Sequence, residues 1–66
     1  MQIKINGRAE EVAEQLSAAQ LLEQMGLGGK RLALEINRDI VPRSQWHEHR
    51  LNPGDEVEIV HAIGGG

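Results

Sequence analysis

The amino-acid sequence predicts an α+β fold, with elements in the order β-β-α-β-β-β forming one sheet against one short helix. Three observations carry this. The stretches 1–5, 32–36 and 56–62 alternate apolar and polar residues with the period of two that half-buries a strand. A single stretch, 18–25, places its apolar residues at helical spacing instead. The chain has 66 residues, enough for one domain and no more.

Each element has a local cause. Met1, Ile3 and Ile5 alternate with Gln2 and Lys4, and Asn6-Gly7 follows at once. Asn-Gly tolerates the two positive φ angles of a type I′ turn, so a hairpin is expected. Its return strand, 8–12, points Val12 inward and is otherwise polar, as an edge strand or solvent-facing ribbon would be. Ser17-Ala18-Ala19-Gln20 has capping-box spacing, Ser17 accepting from the third helical amide while Gln20 reaches back. Ala18, Leu21, Leu22 and Met25 then form the stripe expected to be buried on a helix over 18–25. Gly26 suits the left-handed position after the helix, Leu27 the apolar residue that follows it, and Gly28-Gly29 a flexible connection.

The second half of the chain reads the same way. Leu32, Leu34 and Ile36 mark a third strand, Asn37-Arg38-Asp39 a turn, and Ile40-Val41 a short fourth strand that Pro42 ends by lacking an N–H. The polar stretch 43–50 contains a turn of 3₁₀ helix with Trp46 as a lid on the core. Asn52-Pro53-Gly54-Asp55 is a tight turn. The last strand, 56–62, faces the core with Val57 and Ile59 and turns Glu58 and Val60 the other way.

Composition narrows the function. A 66-residue chain buries only about 60% of the surface its unfolded form exposes, leaving no room for a deep catalytic cleft beside a core. The sequence has no cysteine, which excludes disulfides, thiolate nucleophiles and Cys-rich zinc sites and suits a cytoplasmic location. The net charge of −3, with scattered basic residues, argues against a nucleic-acid surface. No stretch approaches the roughly eighteen apolar residues of a membrane span, and the N-terminus lacks the pattern of a signal peptide. These features point away from a self-contained enzyme.

The most informative stretch is His61-Ala62-Ile63-Gly64-Gly65-Gly66. Three glycines add nothing to packing, and ordering each costs ~1–2 kcal/mol of backbone entropy. A frayed end accounts for them, and residues 63–66 are expected to form a flexible tail on a single domain spanning 1–66. A functional reading accounts for them equally: a tail without side chains threads a narrow channel and delivers the Gly66 carboxylate to another protein's active site. A carboxylate is a poor electrophile until it is condensed with a phosphate of ATP. The acyl-adenylate then has a good leaving group, and a nucleophile takes the acyl carbon.

The element order, the length and the glycine-ended last strand together resemble the ubiquitin-like β-grasp sulfur carriers. Asn37-Arg38-Asp39-Ile40-Val41-Pro42-Arg43-Ser44-Gln45-Trp46 and Leu21-Leu22-Glu23-Gln24 resemble segments of the thiamine-biosynthesis sulfur-carrier family in particular. The resemblance spans the whole chain; its departures are a third terminal glycine and a polar second strand. It implies a mixed β-grasp sheet packed on the helix. It also implies a protein that is not an enzyme but the substrate of partner enzymes. An E1-like adenylyltransferase using ATP and magnesium would activate the Gly66 carboxylate. A cysteine desulfurase relay would supply sulfur for a Gly66 thiocarboxylate, and thiazole synthase would consume it. Gly64 and Gly65 would thread the partner's channel. No cofactor or metal would be bound by the carrier itself.

Docking is expected on the sheet face leading to the tail, through Val60, Ala62 and Ile63, with Ile40 placed either there or in the core. The competing reading packs Val60 beneath 43–50. His47 and His49 bracket Glu48 in a polar stretch without a third ligand, and His61 lies at a strand end; all three read as solvated surface without a role. Arg38 and Arg43 read either as cations that pair with an acidic partner surface or, as is usual for surface arginines, as groups of little energetic weight. Two other functions remain open: a sulfur carrier for molybdopterin or another pathway, and a non-covalent β-grasp interaction module.

Overall fold

A computed structural model describes residues 1–61 of the chain. Its elements follow the predicted order: β1 (Gln2–Ile5), β2 (Arg8–Glu11), α1 (Ala18–Gln24), β3 (Leu32–Ile36), β4 (Asp39–Ile40), a 3₁₀ turn (Arg43–Gln45) and β5 (Glu56–His61). The five strands form one mixed sheet in the order β2-β1-β5-β3-β4. Neighbours pair antiparallel except β1 and β5, which run parallel and place the last strand in the middle of the sheet.

Local chemistry sets the turns and caps. Asn6 and Gly7 take φ of 50° and 84°, the pair of positive angles a type I′ hairpin requires. Ser17 Oγ accepts from the Gln20 amide at 3.1 Å while Gln20 Oε1 accepts from the Ser17 amide at 2.9 Å, closing the capping box. At the other end Gly26 takes φ 74°. Its N–H donates to the Glu23 carbonyl, and the Leu27 N–H donates to the Leu22 carbonyl at 2.8 Å. This paired arrangement is a Schellman cap, and Leu27 packs against the core beside it.

One core lies between sheet and helix. Ile3, Ile5, Leu34, Ile36, Val57 and Ile59 supply its sheet side, and Ala18, Leu21 and Leu22 its helix side. Leu16, Val41, Trp46 and Leu51 close it from the connections. Trp46 is buried, its indole N–H donating to the Val41 carbonyl at 2.8 Å, so it is the expected lid. Val12 packs partly buried against the same core.

Three expectations shift. Met25 is exposed, because the helix stops at Gln24 and Met25 is its C-cap, turning toward a groove beside the β1–β2 hairpin. The fourth strand is Asp39–Ile40, not 40–41. Val41 leaves the strand to fill the core, where its N–H donates to the Leu34 carbonyl. The return strand of the first hairpin ends at Glu11, one residue early, where the Val12 N–H donates to the Met1 carbonyl. No helix among the described residues is long and apolar enough to cross a membrane.

Candidate functional site

The sheet has two faces and the helix covers one. The other face follows from the register. On it Ala33 of β3 stands opposite Val60 of β5, and Glu35 stands opposite Glu58 on one side and Ile40 of β4 on the other. On the β1 side, Lys4 stands opposite both Glu56 and Ala9. Val60 is 51% exposed and Ile40 is 70% exposed. The reading that buries Val60 beneath 43–50 therefore fails, and Ile40, which the sequence leaves between core and surface, belongs to this open face. Two large aliphatic side chains share an uncovered surface with Ala33, the arrangement expected of an interaction face.

The face is held by the central strand. β5 is braced by β3 from Val57 to His61 and by β1 over its first residues. Where β1 turns away, the Ile59 N–H donates to Asn6 Oδ1 at 2.8 Å, so the first hairpin's turn residue replaces a missing strand partner. At the strand's start the buried Asp55 carboxylate accepts from Asn37 Nδ2 at 3.0 Å and from the Asn52 amide at 2.8 Å. The strand that leads to the tail is thereby fixed to neighbouring turns at its start and at Ile59. The remaining predicted residues, Ala62, Ile63, Gly64, Gly65 and Gly66, lie outside the described residues.

Comparison with known proteins agrees with this architecture. The family model of the ThiS family matches residues 3–66. The chain belongs to the ThiS family. Over 66 residues it is 39% identical to the sulfur carrier protein ThiS of Escherichia coli, covering all of both chains. The crystal structure of a thiamine biosynthesis protein (ThiS) from Geobacter metallireducens superposes with a TM-score of 0.87 at 28% identity, again over 100% of each chain. A thiazole synthase from Paramagnetospirillum magneticum is 36% identical over 66 residues, but this chain spans only 20% of that relative. The family and its fold make the protein a ThiS-type β-grasp sulfur carrier of thiamine biosynthesis.

In this ThiS-family chain the histidines stand apart from the open face's core. His47 and His49 lie in the segment after the 3₁₀ turn, and His61 is exposed at the end of β5. No group of three metal-ligating side chains forms among the described residues. Arg43 is not a free surface cation: it donates to the Lys30 carbonyl at 2.7 Å and stacks 4.6 Å from the Trp46 ring centroid. A groove of about 400 Å³ lies between the first hairpin and α1, lined in part by Val12, Leu21 and Met25. Ala33, Glu35 and Glu58 also belong to the open face, and the sequence does not mark them as site residues. Alternation turns Glu58 away from the core, but its neighbours depend on strand register, which single-strand alternation does not give.

Proposed function

We propose that this ThiS-family protein carries sulfur as a thiocarboxylate on Gly66. An E1-like adenylyltransferase binds the open sheet face and takes the tail, Gly64 and Gly65 passing a channel that side chains would block. A Gly66 carboxylate oxygen attacks the α-phosphate of ATP, with magnesium, and pyrophosphate leaves. The terminal sulfur of a persulfide on the cysteine desulfurase relay then attacks the acyl carbon and AMP leaves. A second thiol attacks the other sulfur of the acyl disulfide so formed, and the S–S bond breaks. The sulfur stays on Gly66 as the thiocarboxylate while the two thiols leave as a disulfide. Thiazole synthase takes that sulfur for the thiazole ring. Val60 and Ile40, with Ala62 and Ile63 beyond the described strand, make the docking contacts. The carrier binds no cofactor, and a cysteine-free chain served by ATP-dependent partners suits the cytoplasm.

The observation that carries this reading is the similarity over 66 residues to a sulfur carrier, in a cysteine-free sequence that contains the glycine run Gly64-Gly65-Gly66. Partnership with thiazole synthase is supported by the relative in which a segment resembling this chain belongs to a thiazole synthase. The test is intact mass after incubation with the adenylyltransferase, ATP, magnesium and a sulfur donor. One oxygen of the chain should be exchanged for one sulfur. A variant carrying one extra residue after Gly66 should stay unchanged, although its fold is intact. An unmodified wild-type chain under conditions that charge the E. coli carrier, or a modified extended chain, overturns the proposal.

A further inference from the structure

The open face carries a charge arrangement that the fold does not require. Glu35 and Glu58 are direct cross-strand partners on it, which brings their Cβ atoms to about 4.5–5.5 Å. Like charges so placed destabilise a sheet. The next residue in that row is Ile40, which is apolar, and on the other side of Glu58 the first strand has already ended. Glu56 differs, since Lys4 is its register partner and Arg38 lines the same shallow cleft. The only ion pairs among the described residues join the Met1 ammonium to Glu11 and Glu14. The Glu35–Glu58 pair is therefore an uncompensated negative centre, set between exposed Ile40 on one side and exposed Val60 one rung further on.

We infer that Glu35 and Glu58 are electrostatic docking residues for a basic, apolar-centred surface on the protein that adenylates the tail. The inference rests on the carrier reading above and gives its docking face a partner chemistry. Two features select this occupant. The face includes Glu58 and Val60 of β5, the strand that residues 62–66 directly follow in sequence. A site that binds ATP must hold several phosphate charges with cationic groups. The adenylating partner therefore carries cationic groups, and the transfer arm of the experiment below separates it from the sulfur acceptor. Cationic side chains meeting Glu35 and Glu58 would remove their repulsion, while Ile40, Ala33 and Val60 bury apolar area between the partners. Such pairs chiefly raise association rates and fix orientation.

The experiment compares the wild-type chain with the Glu35→Gln/Glu58→Gln double variant, with Glu56→Gln as a second comparison. Conversion by the adenylyltransferase is followed by intact mass over a range of carrier concentrations and at low and high salt. At low salt the double variant should need about tenfold more carrier for half-maximal conversion. Its maximal rate should be retained, because the tail is untouched. The wild type should lose affinity as salt rises and the double variant much less. Glu56→Gln should stay within about twofold of wild type. Thermal midpoints of the free proteins should be unchanged or higher in the double variant, excluding unfolding as the cause. Equal half-maximal concentrations and equal salt dependence overturn the inference, as does a defect confined to transfer to thiazole synthase. If wild type itself acquires no sulfur, the carrier reading fails instead.

Discussion

At the scale of single residues, the turn joining β3 to β4 carries a strain that a substitution exposes. Asn37 and Arg38 take φ of 53° and 72°. Asn37 is suited to this: asparagine tolerates the left-handed region, and its side chain is used on both sides. Nδ2 donates to Asp55, and Oδ1 accepts from the Glu56 amide at 3.0 Å. Arg38 has no such reason to be there, and the left-handed conformation costs an L-residue about 1–2 kcal/mol. Glycine would remove that strain while losing about 0.5–1 kcal/mol through the greater freedom of its unfolded chain. Arg38→Gly should therefore raise stability by ~0.5–1 kcal/mol, read from the midpoint of urea unfolding. A lower midpoint would mean that the guanidinium beside Glu56 outweighs the backbone.

At the scale of elements, the sequence reveals what is local and conceals what is not. The helix start is written in Ser17 and Gln20, its end in Gly26 and Leu27, and the first hairpin in Asn6-Gly7, because each device acts within a few residues. Met25 and Val41 depart from their expected places because spacing gives the phase of an element and not where tertiary packing cuts it off. The fixing of Ile59 by Asn6 spans 53 positions, and the Glu35–Glu58 pair depends on which strands meet and in what register. The chemistry proposed for Gly66 rests on the sequence alone, since it asks only for a carboxylate and slender residues before it and lies outside the described residues. Ser17 provides the test at this scale. Ser17 is buried, and removing its hydroxyl leaves the Gln20 amide without its cap. Ser17→Ala should cost about 0.5–2 kcal/mol, measured by thermal or urea unfolding, and a loss below that range would show the seven-residue helix to be held by its packed face alone.

The whole molecule is tied at its beginning as well as at its last strand, and that tie makes stability depend on pH. The Met1 ammonium donates to the Val12 carbonyl at 2.6 Å and lies 2.9 Å from Glu11 and 3.3 Å from Glu14. It thereby closes the open end of the first hairpin, the edge of the sheet farthest from β4. The hydrogen bond to Glu11 is the main cause that raises the ammonium's pKa above the ordinary 8.0, with Glu14 adding to it against partial desolvation. The amine therefore binds its proton more tightly folded than unfolded. A raised folded pKa contributes stability that is complete below the unfolded value of 8.0 and disappears as pH rises through the folded one. The thermal midpoint should accordingly fall as pH is raised from near 7 to about 10. In the Glu11→Gln/Glu14→Gln variant, whose partners no longer favour the charged amine, the fall over that window should be smaller. Equal falls in the two proteins would assign the dependence to other groups, and a midpoint rising with pH in the wild type would reverse the sign of the linkage. The proposed docking residues Ile40 and Val60 lie on β4 and β5, not on the β1–β2 hairpin, so at saturating partner concentration both proteins should acquire sulfur to the same extent near pH 7.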